Sequence, residues 1–228
     1  MASEGHGPLF EALSNRFRGR RDRQIKDLII ERRSSVSGDL KILDMGGSYK
    51  YWERFGLEFL DKYNVHITCV NRIEDELQLS ELKTDRIKFT VGDATNLSSF
   101  ADNAFDIVHS NSVIEHVGRW KQMRTFANEV RRLAPAYYVQ TPYFWFPVDP
   151  HYYRVPFYHW LPESLRLKIM RRIKVGWSLP VPDIDKAMEM VEFAVIIDAT
   201  QFRSLFPDAE ISFERFALLP KSLIAIRR

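Results

Sequence analysis

The chain has 228 residues, a formal net charge of +3, 45% hydrophobic and 28% charged residues. These proportions describe a globular protein with enough chain for one large domain and a real core; no apolar run approaches the ~20 residues of a membrane span, and the first residues lack the charged and apolar regions of a secretory signal. One cysteine, Cys69, excludes an internal disulfide and makes a reducing cytoplasm the expected location.

Residues 1–37 read as an N-terminal helical extension of two short helices, Leu9 to Arg18 and Arg21 to Arg33, ended by Ser34-Ser35-Val36-Ser37-Gly38. The arginines and lysines between Arg16 and Arg33 are read as a solvated face, with Ile25, Leu28, Ile29 and Ile30 packing on the core. Residues 38–56 then read as strand, tight turn and helix: Ile42-Leu43 leads into Asp44-Met45-Gly46-Gly47, and helical spacing follows from about Tyr49 to Tyr63. Small turn residues let backbone N–H groups at a helix N-terminus approach a ligand, with the Asp44 carboxylate beside them. That is the pattern of a nucleotide-type cofactor site.

A second strand, Val65 to Val70, ends at Asn71-Arg72, a short acidic helix spans Ile73 to Leu82, and a third strand, Ile87 to Val91, ends at Gly92-Asp93-Ala94-Thr95. The tip of the second strand faces the cofactor ribose in a mononucleotide-binding half, so Asn71 is expected there. Asp93 is placed either to accept from an exocyclic amine such as that of adenine or to cap its own turn. A fourth strand, Phe105 to His109, leads through residues 110–117 across the top of the sheet into a helix from about Trp120 to Leu133. The fifth strand, Ala136 to Gln140, breaks at Thr141-Pro142. Repeated β–α alternation with short links predicts a doubly wound parallel sheet.

Residues 143–180 depart from that rhythm, because prolines forbid long elements and aromatics crowd the segment before a basic helix that runs to Lys174. This reads as a lid or acceptor pocket above the strand ends, with aromatic walls from Tyr143 and Trp145 and polar groups from Asp149, His151, Tyr152, Arg154 and His159. Helices follow at Asp183 to Val191 and Thr200 to Leu205, the latter capped by Thr200, and an alternating hairpin closes the chain through Glu210 to Phe216 and Ser222 to Arg227.

With these pieces in order, the chain resembles the class I S-adenosylmethionine-dependent methyltransferases of the methyltransferase type 11 group. The resemblance is carried by Ile-Leu-Asp-Met-Gly-Gly at 42–47, the Gly92-Asp93-Ala94 tip, the run from Phe105 to Val117 and the terminal hairpin. It implies a Rossmann-like, doubly wound, mostly parallel seven-stranded sheet with an antiparallel C-terminal strand, forming a methyltransferase domain over 38–228 with an acceptor-binding insertion at 143–192. Carried over by position, Asp44, Met45, Gly46 and Gly47 hold the methionine part of S-adenosyl-L-methionine. Asn71, with Arg72 as neighbour, meets the ribose, Asp93 and Ala94 the adenine, and Ser110 and Asn111 line the floor beneath the sulfonium. Ser48, Lys50 and Asn71 stand where relatives often carry glycines and an acidic residue.

The resemblance also implies the chemistry. Methyl transfer from a sulfonium asks the protein mainly to position an acceptor atom in a dry pocket, and a hydroxyl acceptor needs a base. His116 is the first candidate, with His151 and Asp149 from the insertion behind it. The expected acceptor is a small molecule with a flat apolar face, such as a sugar, phenol or natural product, met by Tyr143, Trp145, Tyr152, Arg154 and His159. No strand-reading nucleic-acid module is present. No metal is assigned, although Ser112-Val-Ile-Glu115-His116 resembles a Glu-x-x-Glu-His metal motif whose first Glu is Ser112 here; an ion would need Asp149, His151 or water to complete its shell. Two other classes fit the turn: a NADP-dependent oxidoreductase using Asn71-Arg72 on a 2′-phosphate, which leaves the hairpin unexplained, and a non-catalytic cofactor-binding protein.

Overall fold

The computed structural model describes residues 8–72 and 84–228, with side chains from residue 18 onward. Its seven strands are β1 (Leu40–Met45), β2 (Val65–Asn71), β3 (Ile87–Val91), β4 (Ile107–Asn111), β5 (Ala136–Pro142), β6 (Glu210–Phe216) and β7 (Leu219–Arg227). They lie side by side in the order β3-β2-β1-β4-β5-β7-β6. The first five run parallel, and β7 enters antiparallel to both β5 and β6. The central strands are buried almost throughout, which suits parallel strands covered by helices on both faces.

On one face pack α1 (Pro8–Arg33) and α2 (Tyr49–Lys62), burying Ile25, Leu28, Trp52 and Phe55 against Ile42, Ile67 and Tyr138. On the other, α3 (Trp120–Leu133) and α6 (Ala199–Leu205) bury Phe126, Val130 and Phe202 against Leu43, Val108 and Val139. The insertion has α4 (Glu163–Met170), α5 (Ile184–Glu192) and a small core of its own built from Tyr152, Tyr158, Met170, Val175, Ala187 and Val191.

Several boundaries differ from the sequence reading. The two N-terminal helices are one, because Gly19 weakens a helix by only about 1 kcal/mol and nothing else interrupts it. Ile30 points outward while Ile25, Leu28 and Ile29 are buried. Strand β4 lies two residues later than expected, since its register on β1 pairs Ile42 with Ile107 and Met45 with Ser110. Strand β5 runs through Thr141 and Pro142 because β7 pairs with both; a proline is tolerated at that strand end, where the missing N–H costs little. Likewise β7 begins at Leu219, before Ser222. The cap of α6 is Asp198, in a reciprocal capping box with Gln201, and Thr200 is already inside the helix. The expected helix at Ile73 to Leu82 lies outside the described residues.

Candidate functional site

The turn after β1 is shaped by two glycines. Gly46 has φ +78°, and a Cβ on it would strike the side chain of Val113; a Cβ on Gly47 would overlap the Asp44 carboxylate. With no side chains in the way, the turn closes against the strand and delivers the chain to α2, whose N-cap Ser48 accepts from the Tyr51 N–H. The first turn of α2 therefore presents backbone N–H groups at the carboxyl edge of the sheet, a setting that favours an anionic group.

Asp44 is buried and both of its oxygens are engaged. Oδ2 accepts from Trp52 Nε1 at 2.7 Å, and Oδ1 meets His109 Nδ1 at 2.6 Å. A carboxylate oxygen accepts, so His109 Nδ1 carries the hydrogen and Nε2 is the open nitrogen; among the described residues no atom partners it. The imidazole is held flat between Tyr51 and Tyr138, with ring centroids 5.1 and 5.7 Å away. His109 faces a cavity of about 290 Å³ together with Asp44, Gly46, Gly47, Lys50 and Asn111. The sequence reading missed His109. Asp44 and His109 are directly paired across β1 and β4, a relation visible only once the strand register is known.

The other expected cofactor residues divide. Asn71 donates from Nδ2 to the carbonyl of Gly47 at 2.9 Å, bracing the glycine turn from the neighbouring strand. Asp93 holds its own turn by accepting from the N–H and hydroxyl of Thr95, both at 2.8 Å. Burial works against ionisation there, but the Thr95 hydrogen bonds and the Arg72 charge outweigh it and keep its carboxyl below the usual range. Met45, Ala94 and Ser110 are core residues, and Arg72 is exposed. None of these six lines the first cavity.

A second cavity, of about 180 Å³, is lined from the same end of β4. Asn111 lines one and Ser112 the other, while Arg21 of α1 lines the second and donates to Asn111 Oδ1 at 3.4 Å. Ser112 has φ +60°, an uncommon conformation for a non-glycine residue, and it is held there by its hydroxyl donating to Gln140 Oε1 at 2.9 Å. The insertion supplies the roof: Tyr143, Phe146, Asp149 and His159 face the second cavity, as does Lys221, whose pKa is lowered by burial and by the charges of Arg21 and Arg18.

The remaining insertion residues are placed otherwise. Tyr152 is a core residue of the insertion and donates to the Met190 carbonyl at 2.6 Å, so it is not a cavity wall. Trp145 is 57% exposed and rests against Trp160, and Arg154 donates to the Gly176 carbonyl, also away from both cavities. Neither His116 nor His151 lines the two cavities; they face each other, Nε2 to Nε2, at 3.1 Å just behind Asp149. Glu115 is wholly buried next to them, and desolvation pushes its pKa up to about 7. Burial lowers the pKa of His116. Burial acts the same way on His151, but its bond to Asp149 and the Asp149 and Glu115 charges prevail and raise it.

A sequence profile described as "Methyltransferase domain" matches residues 52–135. The antiparallel β7 inserted between β5 and β6 departs from the six-stranded parallel order of dinucleotide-binding folds, and it is the sheet that this domain carries. Residues 52–135 thus match a methyltransferase domain, and the sheet around them has the methyltransferase type of fold. Among solved structures, the DszA carbon methyltransferase superposes with a TM-score of 0.60 at 8% identity, over 94% of this chain and 54% of that one. The magnesium protoporphyrin IX methyltransferase of Synechocystis PCC 6803, solved with bound SAH, gives 0.54 at 10% identity, over 99% and 90%. A Rhodobacter sphaeroides protein named among the Zn-dependent alcohol dehydrogenases gives 0.55 at 12%, over 89% of each chain. At such identities the likeness concerns the fold. No curated protein matches by sequence. The profile match begins at Trp52, so the glycine turn, with Ser48 and Lys50, lies just before the matched stretch.

Proposed function

We propose that the protein transfers the methyl group of S-adenosyl-L-methionine to a hydroxyl oxygen of a small acceptor seated in the second cavity. The observation that carries this reading is at the end of β4, where the lining passes from the first cavity to the second between consecutive residues, Asn111 and Ser112. A cofactor lying over the glycine turn points its sulfonium toward that boundary. Of its amino-acid end, the carboxylate suits the N-terminus of α2 and the ammonium suits the acceptor His109 Nε2.

Displacement at the methyl carbon needs the acceptor oxygen about 3 Å away and in line with the leaving sulfur, with water excluded. The second cavity offers Tyr143 and Phe146 as flat apolar walls and Asp149, His159 and Lys221 as polar ones, the mixture that fits a hydroxylated ring such as a sugar or phenol. Asp149 is the member of the His116, His151 and Asp149 set on the cavity wall, and its Oδ2 has no protein partner. It accepts the hydrogen bond of the acceptor hydroxyl and takes the released proton on Oδ2. Sulfur leaves as the neutral thioether of S-adenosylhomocysteine.

The test joins binding and turnover. Calorimetry with S-adenosylhomocysteine and NADPH, followed by incubation of the protein with methyl-labelled cofactor and panels of sugars, phenols and amines, is expected to show binding of the first ligand alone and a base-stable methyl ether. Binding of NADPH alone, or label found on nitrogen or carbon, overturns the reading.

A further inference from the structure

The paired imidazoles of His116 and His151 each have one nitrogen committed. His116 Nδ1 lies 2.9 Å from the carbonyl oxygen of Phe193, which only accepts, so that nitrogen bears the hydrogen. His151 Nδ1 lies 2.7 Å from Asp149 Oδ1, which also accepts. In the neutral rings both Nε2 atoms are then lone-pair acceptors, yet they face each other at 3.1 Å. Two acceptors so close require a cation between them. Glu115 adds a third group, since Oε2 accepts from Thr141 Oγ1 at 3.0 Å while the buried Oε1 has no partner among the described residues. The three side chains offer ligand atoms within 4.8 Å of one another.

We propose that Glu115, His116 and His151 bind one divalent cation of the zinc, manganese or iron(II) class through a carboxylate oxygen and the two Nε2 atoms. The spacing agrees: two nitrogens about 2.1 Å from one ion, separated by roughly 90–110°, lie roughly 3.0–3.4 Å apart. Both rings have an acceptor on the opposite nitrogen, Phe193 O or Asp149 Oδ1, which is how proteins orient metal-bound histidines. Two imidazoles and one carboxylate select against magnesium and calcium, which take oxygen. Three protein ligands leave positions for water or for oxygen atoms of a bound molecule. Asp149 links this site to the second cavity, because it holds His151 by one oxygen and lines the cavity. The ion also cross-links two parts of the chain: Glu115 and His116 follow β4, whereas His151 belongs to the insertion.

This inference does not depend on the acceptor proposed above. The untagged full chain, stripped with a chelator, is titrated with Zn²⁺, Co²⁺ and Mg²⁺ by calorimetry, and Co²⁺ binding is followed by visible absorption. One equivalent of Zn²⁺ or Co²⁺ is expected, with a Co²⁺ spectrum of mixed nitrogen and oxygen ligation, and with slower tryptic cleavage of the insertion once the ion is bound. Glu115→Gln and His151→Asn are each expected to weaken binding by at least about tenfold. Where either fails to fold by circular dichroism, Asp149→Asn, which leaves all three ligands in place, is expected to weaken it several-fold. Absence of stoichiometric binding, preference for Mg²⁺, or affinity unchanged in a folded variant overturns the proposal and leaves a shared proton as the cation. Lost metal binding with S-adenosylhomocysteine binding retained removes this site alone, and the reverse removes the cofactor reading alone.

Discussion

The two ends of the site are built differently. At the sheet end, both Asp44 oxygens have donors and Asn71 braces the Gly47 carbonyl, while the groups left open are neutral, His109 Nε2 and the hydroxyls of Tyr51 and Tyr138 that flank it. Under the insertion the buried atoms without a partner among the described residues include two carboxylate oxygens, Glu115 Oε1 and Asp149 Oδ2, together with His159 Nδ1. Unpaired buried polar atoms are costly, so such a cluster is kept where something else completes it. The first region is set by strands whose register leaves little freedom. The second is set by an insertion with its own small core, docked where Val195 donates to the Glu115 carbonyl and Phe144 to that of Ile197. The sheet end is therefore preorganised with the fold, whereas the region under the insertion is adjustable without disturbing the sheet.

Breaking the sheet end is expected to cost most. His109→Leu leaves a buried Asp44 oxygen without its donor and is expected to lower stability by about 3 kcal/mol, read by urea unfolding, with weaker binding of S-adenosylhomocysteine. Gly47→Ala drives a methyl into the Asp44 carboxylate; a loss of about 2 kcal/mol and at least about a tenfold fall in cofactor affinity are expected. Tyr158→Phe removes the hydroxyl donated to the Arg166 carbonyl within the insertion and is expected to cost about 1 kcal/mol locally, speeding tryptic cleavage near Arg171 and Arg172. Cofactor binding should not change in that variant, and a fall as large as that of Gly47→Ala would erase the distinction between the regions.

The smallest effect sharpens the comparison at the outer strands. Burial disfavours the charged form of Asp208, but the Tyr137 hydroxyl and Arg131 prevail and keep its carboxyl below the usual range. A depressed folded value stabilises above the ordinary carboxylate range, and that contribution fades as pH falls through the folded value. Asp208→Asn is thus expected to cost well under about 1 kcal/mol near neutrality and nothing in strong acid, measured by thermal unfolding across pH.

Local patterning determined much of this protein. Apolar runs and turn residues in the sequence marked the strands of the sheet, the glycine turn and the closing hairpin, because the spacing of buried side chains follows directly from strand and helix geometry. It also showed that residues 143–180 break the β–α rhythm. Tertiary structure alone decided which polar groups meet. His109 reaches Asp44, 65 positions away, through the register of β1 on β4, and His151 reaches His116, 35 positions away, through the docking of the insertion. It likewise sent Tyr152 inward, toward Tyr158 and the Met190 carbonyl. Periodicity states which face of an element is apolar, but partners across the sheet are chosen by register and by how separate layers pack, and neither is written in any local stretch of chain.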